Sequence, residues 1–195
     1  MARPRTFDRN AVLEGAVDLF RERGFDGTSV PELIERLGIC RQSLYQEFGD
    51  KRGLYLEALE RWGAREIAPK LALLAADGSP LENVRTLVRG LAALATSCPS
   101  EGCLTVTAVV ENRDDADALA VAERQVEHLE AGLRAALERA LAAGELRDGT
   151  RPERLARALT TAFHGAGVLA RLPGSGPRIA DTVAALLDQL DAAAA

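Results

Sequence analysis

The side chains best suited to contact nucleic acid bases follow one another closely between residues 41 and 46. They are Arg41, Gln42, Ser43, Tyr45 and Gln46. Arginine can make paired hydrogen bonds to guanine, and glutamine can make them to adenine. Serine and tyrosine hydroxyls suit phosphate oxygens, contacts that fix the register of a protein on DNA without reading its sequence. The segment therefore has the chemistry of a DNA-reading surface, provided that a helix carries these side chains outward.

The residues around this segment predict two short helices joined by a tight turn. An apolar stripe at the spacing i, i+3, i+4 and i+7 marks the first helix: Val30, Leu33, Ile34 and Leu37. Ser29 followed by Glu32 is a capping-box pattern, and Gly38 suits the left-handed position that ends a helix. Leu44 and Phe48, four residues apart, form the buried edge of the second helix. The alternative is an ordinary helical hairpin with a solvated polar face.

The flanking sequence predicts a helix on each side of this hairpin. Residues 8–23 read as one amphipathic helix that Gly24 ends. Asp50 is a good N-cap for a helix that runs towards Lys70, with Pro69 ending or kinking it. The corner before that helix places Lys51 and Arg52 where phosphates are expected. These features favour a three-helix DNA-binding domain over residues 1–65, with its helix-turn-helix at about 29–48, followed by a second domain over 66–195.

Residues 8–62 resemble the N-terminal domain of the tetracycline-repressor (TetR) family. The resemblance is carried by Gly24-Phe25, Thr28-Ser29-Val30, Leu37-Gly38-Ile39, Ser43-Leu44-Tyr45, Phe48 and Lys51. It implies an all-helical dimer in which each subunit has three DNA-binding helices and a larger ligand-responsive domain. It also implies the DNA contacts. Reading and docking fall to Arg41, Gln42, Ser43, Tyr45 and Gln46, and phosphate binding falls to Thr28, Ser29 and Lys51.

Cys40 departs from the family pattern, which usually has serine or threonine at the start of the reading helix. A thiol accepts hydrogen bonds less well than a hydroxyl, so the weaker cap could cost about 1 kcal/mol. Cys40 is either a small residue that fits the corner or a redox-sensitive thiol, since a helix N-terminus lowers a thiol pKa.

Composition places limits on the class of protein. The chain has 195 residues, of which 47% are hydrophobic and 27% are charged, and these are values of a globular protein. No apolar run is long enough to cross a bilayer, and the N-terminus lacks the apolar region of a secretory signal. The three cysteines suit a reducing compartment. We therefore expect a cytoplasmic protein without a membrane partner.

The net charge of −5 lies entirely in the second part of the chain. Residues 1–65 carry 11 basic and 11 acidic side chains, whereas residues 66–195 carry 13 and 18. Arg3, Arg5 and Arg9 make a short basic arm ahead of the first helix. Such an arm can follow the DNA backbone or enter a minor groove, and a disordered solubilising tail is the alternative.

The second part is rich in strong helix formers and predicts a helical bundle. The predicted helices cover residues 80–96, 104–110, about 115–143, 152–169 and 179–190, with a strand as the alternative for 104–110. The last two helices have a surplus of small residues: Ala156, Ala158, Ala162, Gly165, Ala166, Gly167, Ala184 and Ala185. Small side chains let helices approach closely, so residues 152–192 predict either a homodimer interface or an intramolecular core.

The resemblance also suggests a cavity for a small effector among the helices between about residues 80 and 170. Candidate lining residues are Leu104, Thr105, Thr107, Ala108, Glu111, His128, Phe163 and His164. With Phe163 as the single aromatic residue in this region, an aromatic cage for a cation is disfavoured and a small or aliphatic effector is favoured. Cys98 and Cys103 could form an oxidation switch, whereas a zinc site is disfavoured because neither histidine is near them in sequence.

Enzyme function has no support in the sequence. The residues three before His128 and His164 are Gln125 and Thr161, so the Glu-x-x-His pairs of a di-iron bundle are missing. Phosphate-loop and nucleophile motifs are missing too, so no catalytic residue, cofactor or metal is predicted. A structural adaptor would leave the polar face of residues 41–46 unexplained. The sequence thus predicts an all-α regulator that binds palindromic operator DNA, most simply a repressor that an effector releases.

Overall fold

A computed structural model describes residues 7–95 and 102–195 of the chain. Its helices in chain order are α1 (Arg9–Arg23), α2 (Val30–Leu37), α3 (Arg41–Phe48), α4 (Lys51–Ala75), α5 (Pro80–Gly90), α6 (Leu104–Glu111), α7 (Ala116–Ala142), α8 (Pro152–Leu169) and α9 (Gly176–Ala193). A 3₁₀ segment, Leu91–Ala95, follows α5. Extended pairing within the described ranges is confined to one isolated bridge between Leu146 and Ala194. The prediction of an all-α fold is confirmed.

The predicted caps Ser29, Gly38 and Asp50 act as caps in the structure, and Asp8, which the sequence placed inside the first helix, is its N-cap. Asp8 accepts hydrogen bonds from the backbone N–H groups at the start of α1, and Asp50 accepts one from Gly53 at the start of α4. The Ser29 hydroxyl accepts from the N–H of Glu32, and Gly38 has the left-handed φ of 64° that ends α2. A side chain at that φ would be strained, which explains why glycine suits the turn between α2 and α3.

The prediction that Pro69 could end the fourth helix is wrong, because α4 continues for six residues beyond it to Ala75. A proline inside a helix removes one backbone hydrogen bond and can cost about 3 kcal/mol. The end of α4 packs closely on α7, where Gly132 leaves the space that the side chain of Leu71 fills. Arg139 of α7 also donates to the carbonyl of Leu74. This packing offsets the cost of the proline.

The predicted elements at residues 80–96 and 104–110 can also be compared with the structure. A single helix over residues 80–96 is wrong: α5 ends at Gly90, and the backbone continues in the tighter 3₁₀ form to Ala95. Thr96 lies outside the described residues. The segment from Leu104 is helical, so the strand alternative for it is wrong. Packing against α4 and α7 outweighs the weak helix preference of its valines and threonines.

The core consists of two clusters of buried apolar side chains. The first cluster contains residues of α1, α2, α3 and the first half of α4. These pack against residues of α6 and α7, including Leu104, Ala108 and Ala122. The second lies among the end of α4 and helices α5, α7, α8 and α9. Helix α4 therefore runs through both clusters and connects the N-terminal helices rigidly to the bundle behind them. None of the described helices is long and apolar enough to span a bilayer.

Candidate DNA-binding interface and effector cavity

Helix α3 is fixed to the core by one face and presents the other to solvent. Leu44 is fully buried and Phe48 is nearly so, while Ile39 closes the corner before the helix. The side chains of Arg41, Gln42, Tyr45 and Gln46 are exposed, and Tyr45 exposes 45% of its surface. No described residue bonds to these four side chains, so they remain available to a partner outside the subunit.

The start of α3 is capped by the Cys40 thiol. Its sulfur lies 3.4 Å from the backbone nitrogen of Ser43, which donates to it, and 3.2 Å from the Ser43 hydroxyl oxygen. The hydrogen bond from the Ser43 side chain is the main cause that lowers the pKa of Cys40. Cys40 thus does the work of the usual serine or threonine. Ser43, which the sequence assigned to DNA, is only half-buried and faces this cap.

Two of the predicted phosphate ligands make bonds inside the N-terminal domain. Thr28 is buried, and its hydroxyl donates to the Gly24 carbonyl at 2.7 Å. Lys51 donates from Nζ to the carbonyls of Phe25 and Thr28, at 2.7 Å each, and its charge lies 4.1 Å from the centre of the Phe25 ring. Both side chains hold the turn before α2 against the start of α4.

The other predicted phosphate contacts also have definite places. Ser29 is exposed at the N-terminus of α2, where its hydroxyl is the cap. Arg52 does not project freely beside α3 as its sequence position suggested. Its guanidinium donates to both carboxylate oxygens of Asp115 at 2.7 Å and to Asp117 at 2.6 Å. These bonds lower the pKa of Asp115, with the hydrogen bond from Arg52 as the main cause.

The basic arm is described only at its end. Arg9 forms an ion pair with Glu57 on α4 and lies over the ring of Phe48, 5.1 Å from its centre. Arg3 and Arg5 lie outside the described residues. Arg9 therefore contributes to the packing of α1 on α3 and α4.

Direct contacts join the DNA-binding helices to α6. The Glu111 carboxylate at the end of α6 accepts a hydrogen bond of 2.8 Å from the backbone N–H of Phe25. A Cβ at Gly24 would lie 2.2 Å from a Glu111 carboxylate oxygen, so the close approach requires glycine there. Arg171, just beyond α8, donates to the Arg21 carbonyl and to the Thr107 hydroxyl, at 3.2 Å each. The turn after α1 is thus held by the C-terminal part of the chain.

A cavity of about 490 Å³ lies between α4, α5, the start of α6, α7 and α8. This is within the usual range for small-molecule sites. Phe163, His164 and Thr105 line it, as the sequence suggested. Its wall also contains Arg21, Trp62, Ile67 and Lys70, which sequence reasoning missed. The cavity predicted from the sequence began at about residue 80 and so did not include them. It is the packing of the helices that brings these earlier residues opposite α8.

The remaining predicted effector residues are not in the wall of this cavity, and their role in effector binding stays a prediction. Leu104 and Ala108 are fully buried in the first core cluster. The Thr107 hydroxyl donates to the Cys103 carbonyl and accepts from Arg171, whereas Glu111 faces the turn after α1. His128 is exposed on α7. The sequence placed these residues in the right region of the chain, but helix rotation decides which side chains face the cavity.

Among the sulfur groups, Cys40 is exposed and Cys103 is partly buried in the wall of the cavity. Cys98 lies outside the described residues, so the predicted Cys98–Cys103 pair stays a prediction. Over residues 7–95 and 102–195, no cluster of His, Cys, Asp or Glu side chains could hold a metal ion.

A short helix with an unoccupied polar face, fixed by a capped turn to a three-helix core, defines a helix-turn-helix DNA-binding protein. The family model "Bacterial regulatory proteins, tetR family" matches residues 12–58. A second model, "Tetracyclin repressor-like, C-terminal domain", matches residues 80–186. The chain belongs to the TetR family, whose members are DNA-binding transcriptional regulators rather than enzymes.

Individual relatives agree with this assignment. The chain is 33% identical over 194 residues to the HTH-type transcriptional regulator YezE of Bacillus subtilis. The aligned region covers 98% of this chain and all of YezE. It is 37% identical over 81 residues to the HTH-type transcriptional repressor ComR of Escherichia coli, covering 42% and 39% of the two chains. A solved structure of the TetR-family regulator CifR with a 26-bp operator duplex has a TM-score of 0.83 at 31% identity, covering 95% and 98%.

Proposed function

We propose that this transcriptional regulator is a homodimeric repressor that binds a palindromic operator and is released by a small molecule. The observation that carries the DNA-binding part is the exposed polar face of α3. Arg41, Gln42 and Gln46 on that face can hydrogen-bond to base edges, and Tyr45 can reach a phosphate. Ser29 at the α2 N-terminus and one remaining N–H of Lys51 are suited to flanking phosphates. The related repressor ComR and the operator complex of CifR support this proposal.

The surface of α8 supports the dimer. Its inner face is buried in the second core cluster through Leu159, Phe163 and Ala166. Its outer face carries a row of exposed residues at alternating spacings of three and four, namely Ala158, Thr161, Gly165 and Val168, and the exposed Leu172 follows in the turn beyond the helix. Val168 and Leu172 are about half exposed, at 48% and 49%. A second subunit packed on this row with residues 152–192 would bury it, as in a four-helix interface.

The cavity supports the effector. It is bounded on one side by Arg21 of α1 and by α4, and on the other by α7 and α8. A ligand there contacts both the N-terminal domain, residues 1–65, and the C-terminal domain, residues 66–195. An effector that prefers the arrangement in which the two reading heads mismatch the operator would release the protein from DNA.

An electrophoretic shift on the promoter region beside the coding gene tests operator binding, and selection from random DNA gives the site. Arg41→Ala should lose about 1–3 kcal/mol of binding free energy and relax the preference at one base position. Arg36→Ala is the matched control, since Arg36 is exposed on α2 and pairs with Glu22 at 3.6 Å. A wild-type protein that selects no sequence, or a selected site without two-fold symmetry, would contradict the proposal.

A further inference from the structure

The cavity between α4 and α8 has a mostly apolar wall that suits a hydrocarbon body. Ile67, Leu87, Leu91, Leu129 and Phe163 supply much of that wall, and Trp62 adds an aromatic face. A cavity of about 490 Å³ has room for several water molecules. Apolar side chains bind such water poorly, so a chain or ring of comparable size can displace it with a gain in free energy.

The charged side chains described in the wall are Glu66, Lys70 and Arg21, and each of the two cations has an acidic partner: Glu66 for Lys70, and Asp18, 3.8 Å away, for Arg21. Lys70 donates from Nζ to the Glu66 carbonyl at 2.6 Å and lies 3.2 Å from the Glu66 carboxylate. Arg21 is the other cation, and its guanidinium lies 4.5 Å from the Trp62 ring centre and donates to the Gly102 carbonyl. The N–H that Lys70 keeps beyond its two bonds to Glu66 can donate to an anionic oxygen, whereas an ammonium group has no lone pair with which to accept it.

His164 provides a polar group that lacks a partner in the cavity. Its Nε2 atom is buried and has no hydrogen-bond partner among the residues that the structure describes. Burial is the main cause that lowers the pKa of His164, and the charge of Lys70 lowers it further. The imidazole is therefore neutral near pH 7, and one ring N–H is available to an oxygen acceptor. The structure thus has an unused donor on α8 that lines the same mostly apolar cavity as Lys70 on α4.

We propose that the cavity binds an apolar monocarboxylate, whose hydrocarbon body lies along Leu87, Leu91 and Phe163 and whose carboxylate is received by His164 and Lys70. The two side chains contact the carboxylate in different ways. Lys70 keeps one N–H beyond its two bonds to Glu66 and provides charge, and His164 provides a directed hydrogen bond. This inference deepens the proposed function, because it names the chemical class of the effector of that same site.

Isothermal titration of the full-length protein without DNA tests the ligand class. The probes are sodium octanoate, octan-1-ol and octylammonium chloride, which share one chain and differ in the charge of the head group. We expect octanoate to bind at least tenfold more tightly than octanol, and octylammonium to bind more weakly still. Equal affinity for the three probes, tighter binding of octylammonium, or no binding of octanoate would overturn the proposal.

Variants locate the head group. His164→Leu and, independently, Lys70→Gln should each weaken octanoate binding at least tenfold and change octanol binding by less than twofold. His128→Leu is the matched control, since His128 is exposed on α7 and should leave all three affinities unchanged. Octanoate affinity that survives both cavity variants would overturn the assignment, and thermal unfolding of each variant confirms that it is folded.

The operator measurement is kept separate so that the two proposals can fail independently. If octanoate binds wild-type protein but leaves operator affinity unchanged, the ligand class stands and effector release is refuted. If octanoate does not bind while the protein still selects a palindromic site, the carboxylate proposal is refuted and DNA recognition stands.

Discussion

At the scale of single residues, the structure gives Cys40 and Lys51, which flank α3, roles that differ from those expected from the sequence. Cys40 replaces the expected hydroxyl cap and still accepts a hydrogen bond from Ser43, so the departure from the family pattern does not remove the cap. Lys51 was predicted from the family resemblance to bind phosphate. Its bonds to the carbonyls of Phe25 and Thr28 give it a structural role that the sequence did not indicate.

The structural role of Lys51 predicts a loss of stability on substitution. Lys51→Met keeps the aliphatic stem and removes both hydrogen bonds from the ammonium group. The free energy of unfolding should fall by about 1.5–3 kcal/mol, the usual contribution of hydrogen bonds from charged groups. Chemical denaturation monitored by circular dichroism measures this change.

Arg36→Met serves as the control for Lys51, because an exposed side chain of this kind usually changes stability by less than about 0.5 kcal/mol. Equal stability of the two variants would contradict the structural role. The salt dependence of operator binding separately tests the phosphate contact. Its logarithmic slope should fall by about 0.9 for Lys51→Met if the remaining N–H meets a phosphate.

At the scale of elements, the turn after α1 joins the DNA-binding helices to α6. Gly24 has φ of 75° and ψ of 179°, a conformation that side chains rarely adopt, and the Glu111 carboxylate occupies the space beside it. Gly38, between α2 and α3, also has a positive φ, but no atom lies within 4 Å of the place a Cβ would take. Gly24 is thus favoured both by its backbone conformation and by the lack of space beside it, whereas Gly38 is favoured by its backbone conformation alone.

A double-mutant cycle separates those reasons. Gly24→Ala should destabilise the protein more than Gly38→Ala, whose cost is the left-handed backbone strain of about 1–2 kcal/mol. In a Glu111→Ala background the cost of Gly24→Ala should fall by about 0.5–1.5 kcal/mol, because the bond from Phe25 to Glu111 is already lost. Equilibrium unfolding of the four proteins in the cycle gives this coupling energy. A coupling of zero would mean that Glu111 does not hold the turn in solution.

Elements also show where sequence reasoning succeeds. The caps Ser29, Asp50 and Asp115 and the break at Gly38 were predictable, because each depends on a side chain and a backbone group a few residues away. The continuation of α4 past Pro69 was not predictable. It depends on Leu71 and Leu74 packing on α7, about sixty residues further along the chain.

At the scale of the whole molecule, Gly165 tests the proposed dimer. It lies in the interior of α8, where glycine usually costs about 1 kcal/mol relative to alanine, and among the described residues no atom outside the adjacent backbone of α8 lies within 4 Å of a Cβ placed there. A close neighbour from a second subunit would explain this glycine. Gly165→Glu should therefore raise the dimer dissociation constant at least tenfold, as sedimentation velocity over a concentration series can measure.

Gly90→Glu is the matched control for that experiment. Gly90 ends α5, is exposed, and likewise has open space around a Cβ, but it lies outside the α8 row. It should leave the dissociation constant unchanged. If Gly165→Glu also has no effect, the α8 row is not the dimer interface.

The sequence by itself determined the helical fold, the helix-turn-helix and the exposed polar face of α3, because these depend on periodicity and caps within short stretches of chain. Only the tertiary structure decided which side chains face the cavity and which bonds hold the N-terminal helices to the bundle. Trp62, Lys70 and His164 are brought together around one cavity although up to about a hundred residues separate them. Such a meeting depends on the rotation and packing of long helices, which local sequence patterns do not encode.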